Sequence, residues 1–390
     1  MKAKHAISID RARRRLSLGG DWQAKDQIGQ GRVQIISAAG DMAMQAIAVM
    51  TEFRRLAALD AEWDWRNCAI IAREWKFLDP LRSFCEQNAI PVQLADEDTA
   101  PIWQLRETRA LVAWLRSIKL ATPNSITEWL GARSTGPWWT LLHEAVDSYS
   151  LETGGAELPT GHFIEWLAEW GREVRRRQIG LLLLTAHRSK GLEFDHVAVL
   201  DGGWEKIGKN EDKDSARRLF YVAMTRARKT LMLARFDAGH ALIDALPEKP
   251  CFLRRERGDL AEPALQMARR YQRLGLEEVD IGFSGRQPEG AKIHAALGKL
   301  QPEALLRLGE IKGRWTLSCP DGTIVGRLAR SFTAPPGMAC LEARVGAIIV
   351  RRQSDTEEKY RDRLLCEEWE VILPELTFVP AGLAPDGDRA

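Results

Sequence analysis

Between residues 28 and 95 the chain alternates two hydrophobic rhythms. GRVQIIS (31–37) gathers Val33, Ile35 and Ile36 into a strand-length run. Asp41 then stands ahead of Met42, Ala46, Val49, Phe53 and Leu56, which is one helix face behind an N-capping carboxylate. NCAIIAR (67–73) is short and almost wholly apolar, the pattern of a parallel strand covered on both faces. A helix through Leu78, Leu81 and Phe84 and a short strand at 90–94 complete a βαβαβ series. The series predicts an α/β fold, a parallel sheet flanked by helices.

The period changes after residue 100. Trp103, Leu111, Trp114, Leu115 and Ile118 share one helical face, and Phe163, Trp166, Leu167 and Trp170 share another. Tryptophans at that spacing read first as core, with stacking on nucleobases as the lesser alternative. The α/β rhythm returns with LLLLT (181–185), HVAVL (196–200), a helix through DSARRLFYVAMTRAR and a closing strand at TLMLAR. The expected organisation has six parts. They are an N-terminal segment (1–27), one α/β domain split over 28–99 and 179–245, a helical insertion (100–178), a helical connector (246–304), a β-rich module (305–380) and a loose tail (381–390). Within the module, RWTLSCPDGTIVGRL reads as a hairpin turning at Pro-Asp-Gly.

Composition narrows the class only slightly. A formal net charge of +2 over 390 residues excludes a polycationic nucleic-acid coat, though not a local basic cleft. The six cysteines are scattered singly, with no CxxC or Cys/His cluster, so no metal site is expected. Reduced thiols and a cytoplasmic location are the corresponding expectation. No apolar leader follows the basic N-terminus, and no window reaches the ~20 apolar residues of a membrane span.

The chemistry is concentrated in two stretches. TAHRSKGLEFDHVAVLDGG (185–203) leaves a buried strand, turns around Gly191 and presents Glu193 before the next strand. Loops at the carboxyl ends of parallel strands are where open α/β sheets place ligands. Thr185, His187, Ser189 and Lys190 bring hydroxyl, imidazole and ammonium donors suited to a phosphate backbone. Glu193 suits a ribose hydroxyl or a positive partner instead. The second stretch, RRLFYVAMTRARKTLML, runs a basic helix into an apolar strand with Arg226 at the junction, where a guanidinium could meet a phosphate. A surface ion pair is the plain structural alternative for Arg226. A solvated helix face is the plain reading of Arg217, Arg218 and Arg228.

Together these stretches resemble the last two motifs of superfamily-1 helicases of the UvrD/Rep/PcrA type. The first matches T-x-H-x-x-K-G-L-E-F over 185–194, and the second matches R-R-L-x-Y-V-x-x-T-R-A over 217–227. CAIIAREWKFLDPLRSFCEQNAIPV matches the family's A-V-L-x-R strand and following helix more loosely, with Ala89 where glycine is usual. The resemblance implies the second RecA-like domain of such a helicase, with 100–178 as a reduced 2B-like insertion. It implies Arg226 as the catalytic arginine finger on the ATP γ-phosphate and Glu193 at the nucleotide ribose. Gly191 would permit close approach, and Arg73 would be a further ATP-site residue. Thr185, His187, Ser189 and Lys190 would contact single-stranded DNA or the coupling network beside it. It also implies 3′→5′ unwinding.

The family's phosphate loop is missing from this sequence. Nothing matches G-x-x-x-x-G-K-[ST], and the acidic run at 96–98 has no such loop upstream. The family's Asn-Tyr-Arg-Ser motif is also not recognisable. ATP and Mg²⁺ are therefore expected only in combination with a P-loop RecA-like domain that precedes this segment in cis or joins it in trans. Three readings follow: the C-terminal segment of an ATP-dependent DNA helicase, a DNA- or protein-binding module descended from one, and a split helicase completed by another chain. In each, the chain alone is expected to lack ATPase activity, and its expected partner is single-stranded DNA, not a membrane.

Overall fold

The computed structural model describes residues 20–95, 100–133, 136–173, 178–206, 212, 214–235 and 239–383. Residues 1–19 of the N-terminal segment, the acidic run at 96–98 and the tail from 384 lie outside the described residues. The chain forms two compact units, one from the described residues up to 95 with 178–269, the other from 100–173 with 270–383.

The first unit is built on a seven-stranded, all-parallel sheet. Its strands are β1 (Val33–Ala38), β2 (Cys68–Ala72), β3 (Val92–Leu94), β4 (Leu181–Thr185), β5 (Phe194–Val199), β6 (Ala227–Arg235) and β7 (Phe252–Arg257), in the spatial order β3-β4-β2-β5-β6-β1-β7. β2 lies between β4 and β5, so the sheet does resume after the insertion. Every residue of β2 and β4 is buried, as their unbroken apolar runs require. Helices α1 (Met42–Ala57) and α2 (Asp79–Gln87) cover one face, sharing a core with Trp22, Ile36, Ile70 and Leu183. Asp41 caps α1 by accepting from the Ala43 and Met44 amides at 2.9 and 3.1 Å. The other face packs Ile71, Leu184, Val197, Leu219 and Phe220. This is a parallel α/β domain with helices on its faces, as the sequence predicts.

The second unit has a six-stranded sheet. Its strands are β8 (Arg270–Arg273), β9 (Leu305–Ile311), β10 (Arg314–Ser318), β11 (Ile324–Arg327), β12 (Met338–Arg352) and β13 (Glu368–Pro380), ordered β8-β13-β12-β9-β10-β11 and antiparallel throughout. The expected Pro-Asp-Gly hairpin joins β10 to β11. The helices of 100–173 are α3 (Arg106–Ser117), α4 (Pro123–Gly131), α5 (Pro137–Thr153) and α6 (Thr160–Glu173). They form their own core around Leu111, Ile126, Tyr149 and Phe163, where most of the tryptophans pack. One turn of α5 instead joins the core of the six-stranded sheet through Trp138 and Leu141, and Trp138 Nε1 donates to the Gly346 carbonyl at 3.0 Å.

The stretch 246–304, expected as a helical connector, is different. It supplies β7 to the parallel sheet, beside β1, and β8 to the antiparallel one, with one short α-helix at Lys292–Leu297 and two 3-10 turns. TLMLAR is therefore not the closing strand. The run FLRRER is too charged to read as a strand by alternation. Its arginines Arg255 and Arg257 instead reach Glu52, fully buried on α1, at 3.0 and 3.1 Å. Among the described residues no helix is long and apolar enough to cross a membrane.

Candidate functional site

All eight residues singled out by the motifs lie in the first unit, at opposite ends of one sheet. β4 ends at Thr185, level with Ala72 of β2. The loop 186–193 then crosses β2 without a helix and delivers Phe194 to the start of β5, paired with Ala227 at the start of β6. Arg73, expected at the ATP site with Glu193 and Arg226, instead sits with Thr185 and His187 at the carboxyl end. Glu193 and Arg226 sit at the amino end, and Ser189, Lys190 and Gly191 lie between.

At the carboxyl end, Arg73 Nη1 donates to His187 Nε2 at 2.7 Å, which leaves that nitrogen unprotonated. His187 and Lys190 are exposed, whereas Thr185 and Ser189 are buried. The Ser189 hydroxyl donates to the Ala186 carbonyl at 2.8 Å and holds the turn. The Thr185 hydroxyl is buried with no partner among the described residues. Gly191 has φ +74°, a left-handed conformation costly for any residue with a Cβ, and this lets the chain reverse toward Glu193.

At the amino end each nitrogen of the Arg226 guanidinium makes one hydrogen bond. Nε donates to the Val222 carbonyl at 2.8 Å, Nη1 to the Leu192 carbonyl at 3.0 Å and Nη2 to Thr225 Oγ1 at 3.0 Å. The helix α7 (Ser215–Met224) ends in Thr225, whose hydroxyl bonds back to the Val222 carbonyl, so the helix terminus and the loop clamp Arg226 jointly. The bond to Leu192 sets the guanidinium beside the residue that precedes Glu193. Glu193 itself pairs with Arg228 at 3.0 Å. Sequence reasoning left Arg228 as a solvated helix residue; it stands on β6 instead.

A cavity of about 930 Å³ opens at the carboxyl ends of β1, β5 and β6. Among the described residues, Asp41, Asp201, Glu205 and Asp244 line it together with Arg217. His240 also lines it and is buried. Its Nδ1 accepts from the Ile243 amide at 3.3 Å, and its Nε2 lies 3.7 Å from Asp201. Burial lowers the affinity of this imidazole for a proton, against the opposing pull of Asp201. Asp201, Gly202, Gly203 and Arg217 fall within the two quoted stretches, but the other lining residues are scattered from Gly40 to Asp244. Among the described residues no group of three or more metal-ligating side chains converges.

The parallel sheet, the carboxyl-end rim and the clamped arginine all belong to one parallel α/β domain. Residues 171–237 match the UvrD-like helicase C-terminal domain family. That match takes in the loop after β4 and the helix that leads to Arg226. The chain is similar to the putative ATP-dependent DNA helicase YjcD of Bacillus subtilis (strain 168), at 42% identity over 71 residues. That match covers 15% of this chain and 9% of that protein, so the chain spans under a tenth of this curated relative. A crystal structure of the C-terminal domain of a possible DNA helicase from Lactobacillus plantarum WCFS1 aligns at 13% identity and a TM-score of 0.30. The alignment covers 61% of this chain and 95% of that one.

Proposed function

We propose that the first unit is one wall of an ATP-dependent DNA helicase motor whose other wall, with the phosphate loop, is a separate P-loop domain supplied in cis or in trans. The observation that carries this reading is the clamp on Arg226. An arginine whose guanidinium is held by three acceptors next to the Glu193 loop is pre-positioned, and a pre-positioned cation is what a transferring phosphoryl group requires. Arg226 serves as the arginine finger and Glu193 as the sugar contact. ATP and Mg²⁺ are held chiefly by the P-loop domain, because this sequence has no match to the phosphate loop and its metal-binding hydroxyl.

Single-stranded DNA runs along the carboxyl-end rim. His187 and Lys190 are exposed enough to touch phosphates, and Arg73 exchanges its bond to His187 for one to the strand. Thr185 and Ser189, being buried, hold the turn and couple the rim to the loop that ends at Glu193. The acidic lining of the neighbouring cavity keeps the phosphate track on the Arg73 side.

The test mixes this chain with a P-loop RecA-like domain of the same family and measures DNA-stimulated ATP hydrolysis. Turnover that needs both components and is lost with Arg226→Ala supports the motor. Robust turnover by the 390-residue chain alone overturns it. Salt-sensitive strand binding with no turnover in any mixture would leave the binding-module reading instead.

A further inference from the structure

The pairing of β5 with β6 contains an irregularity. Phe194 faces Ala227, but the next matched pair is His196 with Thr230, so β6 carries one residue more than β5 across this step. Such a bulge turns side chains out of strict alternation and is a known way to re-aim one beside a site. Here it presents two successive cations to the β5 side: Lys229 bonds Asp195 at 2.8 Å, and Arg228 reaches back to Glu193 at 3.0 Å.

Arg228 and Glu193 are both more than half exposed. Their pair is therefore a weak surface contact, able to open when a competing ligand arrives. A carboxylate bonded to a guanidinium has fewer lone pairs available for sugar hydroxyls. Arg228 thus stands where it can decide whether Glu193 is available.

We propose that Arg228 is a positioning residue that sets sugar recognition in the nucleotide wall, by holding Glu193 until ribose hydroxyls displace it. This rests on the reading of Arg226 and Glu193 as that wall. It makes discrimination between ribose and a hydroxyl-free sugar weak in the natural chain and stronger once the guanidinium is removed.

Ligand-observed NMR titrations of the full chain mixed with the P-loop RecA-like domain, with ATP and with 2′,3′-dideoxy-ATP, test it. The ratio of the two affinities cancels any general effect of charge on phosphate binding. Arg228→Gln should raise the preference for ATP by about two- to fivefold, the range of an exposed ion pair. Arg228→Lys, which keeps a cation for Glu193, should return the ratio to its natural value. Glu193→Gln combined with Arg228→Gln should abolish the gain. An unchanged or lowered ratio in Arg228→Gln overturns the proposal while leaving the wall intact. ATP binding by the mixture that is indifferent to Arg226→Gln overturns the wall itself and this inference with it.

Discussion

The two units bury ionisable groups in opposite senses. In the first, His196 is enclosed between Trp22 and Trp63, with Nδ1 bonded to the Thr230 hydroxyl at 2.8 Å, and burial lowers its pKa to about 4. Nearby, Asp26 and Glu52 hold their carboxyls below the ordinary value. Burial opposes this, but hydrogen bonds and charge from Arg55 outweigh it, and Arg255 adds to the field at Glu52. In the second unit, burial raises Glu107 and Glu370 instead. Glu107 is buried on α3 with neither carboxyl oxygen partnered among the described residues. One unit thus surrounds its buried charges with partners, and the other encloses a carboxyl that favours its proton. The difference teaches that acid should act on them with opposite sign.

The largest effect separates chemistry from architecture. In an assembly with a P-loop domain, Arg226→Ala should lower ATP turnover by about 10³–10⁵-fold. Arg106 of the second unit also donates to main-chain carbonyls, those of Leu297 and Leu300. Arg106→Ala should lower the melting temperature and leave kcat unchanged. Steady-state hydrolysis and thermal melts on both variants distinguish the two roles.

The acid response comes next. His196 has a folded pKa below its ordinary 6.5, so the unfolded chain takes up the proton first and stability falls as pH drops from about 6.5 toward 4. The loss is roughly 3 kcal/mol when complete, at 1.36 kcal/mol per pKa unit. Peptide-level hydrogen exchange over β2 and β5 should register it, and His196→Phe should flatten that response above pH 4.5.

For Glu107 the sign reverses. Its folded pKa lies above 4.5, so the folded state binds the proton first and the second unit gains stability as pH falls toward that value. Glu107→Met replaces an unpartnered buried carboxyl with an apolar chain of similar length. It should stabilise α3 at neutral pH by about 1–3 kcal/mol and remove the gain on acidification. Exchange protection in peptides over 105–117 that falls with acid in the natural chain would contradict this.

The smallest effect concerns Ala89. Its φ is +51°, the left-handed turn that ends α2, where the Ile90 amide reaches the Cys85 carbonyl at 3.0 Å. A Cβ is costly in that conformation. Ala89→Gly should therefore raise stability by about 1 kcal/mol, read as a shift in denaturation midpoint for the first unit. The sequence marked this position only as a departure from the family's glycine.

The sequence by itself determined the elements whose pattern is local. β2 and β4 are apolar along their whole length and α1 carries its own cap, so each declares itself within a few residues. The loop 185–194 and the helix-to-strand motif 217–227 were legible for the same reason, since the residues that shape each turn are contiguous. Tertiary structure alone decided which end of the sheet each candidate occupies, because a loop that crosses β2 without a helix leaves no periodic trace. It also decided the strand at Phe252–Arg257, whose arginines make sense only against Glu52, some 200 positions earlier. The contact between Glu193 and Arg228 depends on one extra residue in the pairing of β5 with β6. A register belongs to two strands at once, and neither strand's sequence states it.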